Sequence, residues 1–217
     1  MSDGFSDMID RARGFLAELA ANNTKEWFDP RKDDYTRDIR KPSEFMADLF
    51  AEDLARHTGR AHRPKVFRIN RDVRFSKDKT PYNAHLHMMW QPTQDAPAFF
   101  FGAAPGYLIL GLAAMGLEGV RLTRYRALID TAGSEVVEAL DAARTALCAG
   151  FSDWGTPPLR KTPKPYDESH PQADLLRRKS FAVSAPLPEG WRATGLLPSL
   201  NAMIPPLLPL HGLLARI

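Results

Sequence analysis

Apolar residues recur at helical spacing at the start of the chain. Phe5, Ile9, Ala12, Phe15, Leu16 and Leu19 share one helix face, with Ser6 as N-cap and Asn22-Asn23 as the stop. Thr24 is placed to cap a short turn carrying Trp27 and Phe28, an aromatic pair that reads as a core anchor rather than an exposed patch. Asp29-Pro30 then looks like a second helix start. Its apolar stripe runs through Tyr35, Ile39, Phe45, Leu49 and Leu54, is broken or kinked at Pro42 and ends at Gly59.

The period then changes from 3.6 to two. Phe67, Ile69, Val73 and Phe75 take odd positions, and Arg68, Asn70, Asp72 and Arg74 take even ones, which is the pattern of a half-buried strand or tight hairpin. Arg71 falls on the apolar side. Either 70–72 is a turn, or Arg71 is buried and paired, because an unpaired buried guanidinium is too costly. The flanking Asn70 and Asp72 favour the turn. Residues 76–81 (SKDKTP) form a donor-rich loop closed by Pro81. Alternation resumes with Ala84, Leu86, Met88 and Trp90 on one face and His85, His87, Met89 and Gln91 on the other.

Two further strands, 98–101 and 107–112, flank a turn at Ala104-Pro105-Gly106, with Gly102 and Gly111 marking bulges or close approach of another backbone. Helices follow over 117–129 and 134–147, the first stopped by Gly133 and the second capped by Ser134. Residues 151–173 hold five prolines and little periodicity, so they read as a long ordered loop, a class often functional. Its Arg160, Lys161, Lys164 and His170 are candidates to extend a basic surface. A helical turn at Leu175-Leu176, a strand over 180–184 and a Leu-rich terminal helix, interrupted by Pro205-Pro206 and Pro209, complete the chain. The pattern predicts an α+β fold: N-terminal helices, a central, mostly antiparallel sheet, and C-terminal helices packed on it. With no Gly/Ser linker or charge run to divide it, 1–217 reads as one domain.

Composition adds little: 44% hydrophobic and 25% charged residues suit an ordinary globular chain of 217 residues. The single cysteine, Cys148, sits on an apolar helical pattern and reads as a core thiol. No apolar run reaches the roughly 18 residues of a membrane span, and the N-terminus lacks a signal pattern. A reduced, cytoplasmic setting is the expectation.

Charge changes the picture more. Between Arg60 and Tyr82 lie eight basic residues and two acidic ones, a net +6, whereas the whole chain is +3, so the remainder is −3. A local cluster argues for an anionic partner better than a high pI does. The segment is not a P-loop, since Asp78 stands where its second Gly would be. His85 and His87 on one strand face are too few to hold a metal, so no metal site is expected.

The motif RINRDVRFSKDKTPYNAH resembles the signature of a bacterial and fungal family known as domain of unknown function 2461, whose members carry R-I-x-R-D-x-R-F-S-K-D-K-T-P-Y-K-T-H or near it. Asn23 to Phe28 is similar to that family's N-x-x-E-W-F, and 163–181, with His170-Pro171 and Lys179-Ser180-Phe181, to its C-terminal segment. Asn83 stands where Lys is usual and Pro165 where Gly is usual. The resemblance extends over nearly the full chain and implies no particular activity.

Three functional readings follow. The first is a pocket for a small phosphate- or carboxylate-bearing ligand, with Arg68, Arg71, Arg74, Lys77 and Lys79 holding the anion and Tyr82 and His85 orienting it. His85 is then the candidate general acid or base. No nucleophile–base pair or Gly-rich cofactor motif is visible, so neither a reaction nor a cofactor is named. The second is a nucleic-acid-binding module, which the alternation opposes because it buries Phe67 and Phe75. The third is an internal network in which the arginines pair with Asp and Glu of the N-terminal helices. A plain solvated edge face is the bland alternative.

Overall fold

The computed structural model describes residues 4–92, 97–152 and 155–217. The chain begins with α1 (Phe5–Ala21) and α2 (Lys25–Phe28). A 3₁₀ turn (Asp29–Arg31), α3 (Lys32–Tyr35), a π-helical turn (Thr36–Arg40) and α4 (Lys41–Thr58) then follow without a break. Strands β1 (Arg63–Val66), β2 (Leu86–Gln91), β3 (Ala98–Ala104) and β4 (Tyr107–Ala114) precede α5 (Gly119–Leu147). The rest comprises β5 (Gly150–Phe151), α6 (Ala173–Leu176), β6 (Phe181–Pro186), α7 (Trp191–Thr194), α8 (Leu196–Met203) and α9 (Leu208–Leu214). The strands form one antiparallel sheet in the order β1-β2-β3-β4-β6-β5, and with helices before and after it the fold is α+β, as the patterning predicts.

The chain divides into two compact units. One holds 1–90, 100–109 and 187–202; the other holds 91–99, 110–186 and 203–217. The first unit is built where α1 and α4 bury Ile9, Leu16, Leu19, Met46, Phe50 and Leu54, and β2 buries Leu86, Met88 and Trp90. Trp90 anchors α4 to β2: its ring meets Phe50 edge-on at 4.9 Å, and its Nε1–H donates to the Ala47 carbonyl at 2.8 Å. An indole at this depth needs such a partner, since an unmet buried donor costs about 1–3 kcal/mol. In the second unit, Tyr125 of α5 is fully buried against Phe181 and donates its hydroxyl to the Leu175 carbonyl at 2.9 Å.

Several local expectations are corrected. Pro42 does not break the helical run; of the two alternatives, the local distortion is what is seen, as a π-helical turn over Thr36–Arg40. This wider turn before Pro42 accommodates a residue with no N–H to give and a ring that crowds the preceding turn. Phe45 lies off the buried stripe, 59% exposed, touching Phe5 at 6.0 Å. Ser6 is buried inside α1, whose N-cap is Gly4 in the left-handed region. Thr24 does cap α2, accepting from the Trp27 N–H at 3.3 Å, but of the aromatic pair only Phe28 is buried; Trp27 is half-buried, between Phe15 and the Arg31 guanidinium.

The break expected at Gly133 falls one residue earlier, at Ala132, whose backbone is non-helical (φ −136°, ψ 24°). α5 continues across this kink, and at Gly133 the missing Cβ makes room for Gln172, whose Cγ would lie 2.7 Å from one. Gly102 likewise admits the Tyr107 and His87 side chains rather than another backbone. Cys148 is no core thiol: it is the left-handed C-cap of α5 and is exposed. Of the long Pro-rich loop, residues 153 and 154 lie outside the described residues.

Candidate functional site

The basic segment carries less strand than its alternation predicts. β1 ends at Val66, and Phe67 extends the pairing with one further bond, its N–H to the His87 carbonyl at 2.9 Å. Residues 69–71 then run antiparallel to 81–83: Asn70 bridges Tyr82, Arg71 N–H donates to the Pro81 carbonyl at 2.8 Å, and Asn83 N–H to the Ile69 carbonyl at 2.7 Å. Ile69 is buried as expected, but Phe67 is 40% exposed and Phe75 96% exposed, so the expectation that both are buried fails. The reason is local: the ladder stops at Arg71, and 72–80 is a loop with no partner strand to define an inner face.

An N-terminal residue locks this ladder. Asn23 accepts from the Tyr82 N–H through Oδ1 at 3.1 Å and donates Nδ2–H to the Tyr82 carbonyl at 2.9 Å, a side chain imitating a neighbouring strand. The Tyr82 ring is buried against Phe28 at 4.3 Å, and its hydroxyl points to Asp29 Oδ1 at 3.5 Å. Burial, with Asp29 beside it, raises the Tyr82 phenol above its ordinary range. The Asn-x-x-Glu-Trp-Phe stretch and the basic signature thus meet in space, across 59 residues of sequence.

The loop supplies its own carboxylates. Arg71 is not in a turn; it is the half-buried, paired alternative, donating Nη1–H to Asp78 Oδ2 at 2.5 Å, to the Thr80 carbonyl at 3.2 Å and to the Thr80 hydroxyl. Asp78 also accepts the Thr80 N–H at 2.9 Å, and this bond, with Arg71 and the Thr80 hydroxyl, holds its carboxyl down at about 2. Arg74 grips Asp72 in a fork, Nε to Oδ1 at 2.9 Å and Nη2 to Oδ2 at 2.7 Å, with 77% of the arginine side chain in solvent. Lys79 caps the Val73 carbonyl at 3.0 Å. The ion pairs therefore come from Asp72 and Asp78, not from the N-terminal helices as the network reading expects.

What the loop walls off is an open cleft of about 340 Å³, lined by Phe67, Arg68, Asn70, Arg71, Asp72, Asn83, His85 and His87. Of the seven residues singled out in the sequence, Arg68, Arg71 and His85 line it; Arg74, Lys77, Lys79 and Tyr82 do not. Arg68 is exposed, and its guanidinium has no ion pair or acceptor among the described residues. His85 and His87 stack at 3.8 Å between ring centroids, and the His87 Nε2 meets the Tyr107 hydroxyl at 2.7 Å. Burial, followed by the charge of Arg71, lowers the His85 pKa. Burial, followed by His85, lowers His87 to about 4. Both rings are thus neutral at pH 7, able to give one hydrogen bond and take another.

Sequence reasoning noticed His87 through its two-residue spacing from His85 but gave it no role. Nothing marked Tyr107, which arrives from β4. Among the described residues no three His, Cys, Asp or Glu side chains are grouped to hold a metal ion, and no helix is long and apolar enough to cross a membrane.

An α+β protein with an arginine- and histidine-lined cleft in its N-terminal half is what the geometry defines. The chain belongs to the family described as conserved hypothetical protein (DUF2461), matched over residues 11–211. No curated protein matches it.

Proposed function

We propose that the protein binds a small phosphate- or carboxylate-bearing ligand in the cleft of Arg68, Arg71, Asn83, His85 and His87. The observation that carries this reading is Arg68: a forked cation at the cleft wall beside Arg71, with no ion pair of its own among the described residues, since Asp72 of the same cleft feels its charge but is gripped by Arg74. Neutral His85 and His87 supply further donors without adding charge, and either is a proton acceptor if chemistry follows binding. A lone exposed cysteine suits a reducing compartment, and we place the protein in the cytoplasm.

The test is thermal. A ligand that binds only the folded state raises its stability by about 2.7 kcal/mol at a hundred times its Kd. Phosphate at millimolar concentration should raise the parent's melting temperature, while Arg68→Met should abolish that rise yet melt no lower than the parent in its absence. A parent indifferent to phosphate, sulfate and carboxylates alike would sink the proposal.

One observation favours the nucleic-acid alternative more than the sequence does. Phe75 stands almost wholly in solvent with the Arg74 guanidinium 5.9 Å from its ring, and Lys77 is exposed nearby in the same loop. A base stacked on such a ring contributes about 1–3 kcal/mol. On that reading Phe75→Ala weakens single-stranded DNA binding tenfold or more, whereas the small-anion reading leaves phosphate binding unchanged by it.

A further inference from the structure

A second cleft shares part of its lining with the first. It measures about 190 Å³ and is lined by Phe28, Lys32, Tyr35, Thr36, Arg40, Arg68, Ile69 and Asn70. Arg68 and Asn70 therefore belong to both clefts. The cations of the second come from the helical side: Lys32 opens α3, and Arg40 closes the π-helical turn. Such a wide turn inside a helix is a feature often found at functional sites. Arg40 is held in place, donating Nη1–H to the Phe67 carbonyl at 2.8 Å and Nε–H to Glu44 at 2.6 Å. Lys32 is exposed, and its ammonium has no acceptor among the described residues. Among the described residues no carboxylate lines this second cleft, and the nearest to Arg40 is Glu44, its ion-pair partner.

Two positive clefts thus share one unneutralised guanidinium. A single phosphate held by Arg68 and Arg71 leaves Lys32 of the second cleft unmatched, while Arg40 there has Glu44. Arg68 and Asn70 line both clefts, so both open onto the same short segment and one small molecule can reach from one to the other. We infer that the ligand of this site carries two anionic groups, as a linear oligophosphate or a doubly phosphorylated small molecule does. One group is held by Arg68 and Arg71, the other by Arg68, Lys32 and Arg40, with Asn70 donating between them. The inference rests on the anion-binding reading given above and adds the ligand's shape and charge to it.

The probes are inorganic tripolyphosphate and orthophosphate, titrated calorimetrically at one fixed, near-physiological ionic strength. The parent should bind tripolyphosphate at least about tenfold more tightly than orthophosphate. Lys32→Gln should lose most of that advantage while keeping its orthophosphate affinity. Arg216→Gln, which removes the same charge near the C-terminus and touches neither cleft, should keep both. Lys32 is a solvent-facing side chain, so its variant folds, and equal melting temperatures check that. Equal affinity of the parent for the two probes overturns the two-anion inference, as does an equal loss in Lys32→Gln and Arg216→Gln. In either case orthophosphate binding that depends on Arg68 leaves the simpler proposal standing. Binding of neither probe overturns both.

Discussion

His87 should make the fold acid-sensitive well above the range in which carboxylates protonate. Its pKa lies near 6.5 in the unfolded chain and about 4 in the folded one, because the ring is packed beneath His85 and against Tyr107. The folded state therefore disfavours the proton. Stability from this group is complete above pH 6.5, falls as pH drops through that value, and is gone below about 4. The full gap corresponds to roughly 3 kcal/mol, and at pH 5 about 2 kcal/mol of it has been lost. The ring lines an open cleft, where solvent relaxes part of the penalty, so about 1–2 kcal/mol at pH 5 is the working figure. Urea unfolding followed by tryptophan fluorescence at pH 7 and pH 5 measures it, with His87→Gln as the comparison, since glutamine can still bond to Tyr107. His85 and His62 are shifted in the same direction and contribute their own losses, which are common to both proteins. The variant should lose about 1–2 kcal/mol less than the parent between the two pH values. Identical losses would mean that His87 is solvated and free to protonate, and the account of the cleft as a place for neutral imidazoles would fall.

Two further substitutions separate what holds the segment from what it displays. Asn23→Ala removes both bonds to the Tyr82 backbone and should lower stability by about 1–3 kcal/mol, the range for leaving partly buried polar groups unmet; a melting temperature equal to the parent's would show the 81–83 ladder standing without it. Arg74→Met breaks an exposed fork with Asp72 and an exposed contact with the Phe75 ring, and should change stability by less than about 1 kcal/mol; a loss of several kcal/mol would show that this pair is buried in solution.

The α+β architecture and the strand at 86–91 were legible because burial there is one-sided. Leu86, Met88 and Trp90 are buried on one face, with Trp90 against α4, and period two records it. The same period over 67–75 misled, since alternation reports burial only where a second layer exists to bury against. There the order comes instead from Asn23, a polar side chain acting on backbone atoms, and no periodicity encodes such a contact. Cys148 shows a related failure at a helix end. Its apolar neighbours continue the pattern, but the backbone turns left-handed at that residue and takes its side chain into solvent. Of the candidate site, the chemistry was visible and the assembly was not. Arg68, Arg71 and His85 could be named from charge and spacing, whereas Lys32 and Arg40 sit on helices whose stripes had already been read as core or surface.

The way the arginines divide bears most directly on function. Asp72 and Asp78 are the only acids between Arg60 and Tyr82, and each is taken by one arginine, Arg74 and Arg71. Those pairs account for the shape of the loop, yet they leave the net +6 of the segment where it was. A network whose purpose was structural would be expected to recruit acids from elsewhere to Arg68, the residue that sits in two clefts at once. The helical arm that comes closest brings Lys32 and Arg40 instead, more of the same sign, and Arg40 keeps Glu44 for itself. Like charges gathered around an open space raise the energy of the empty protein. That Arg68 and Lys32 have no ion pair among the described residues, while loop carboxylates take Arg71 and Arg74, is the electrostatic ground on which the anion-binding proposal rests.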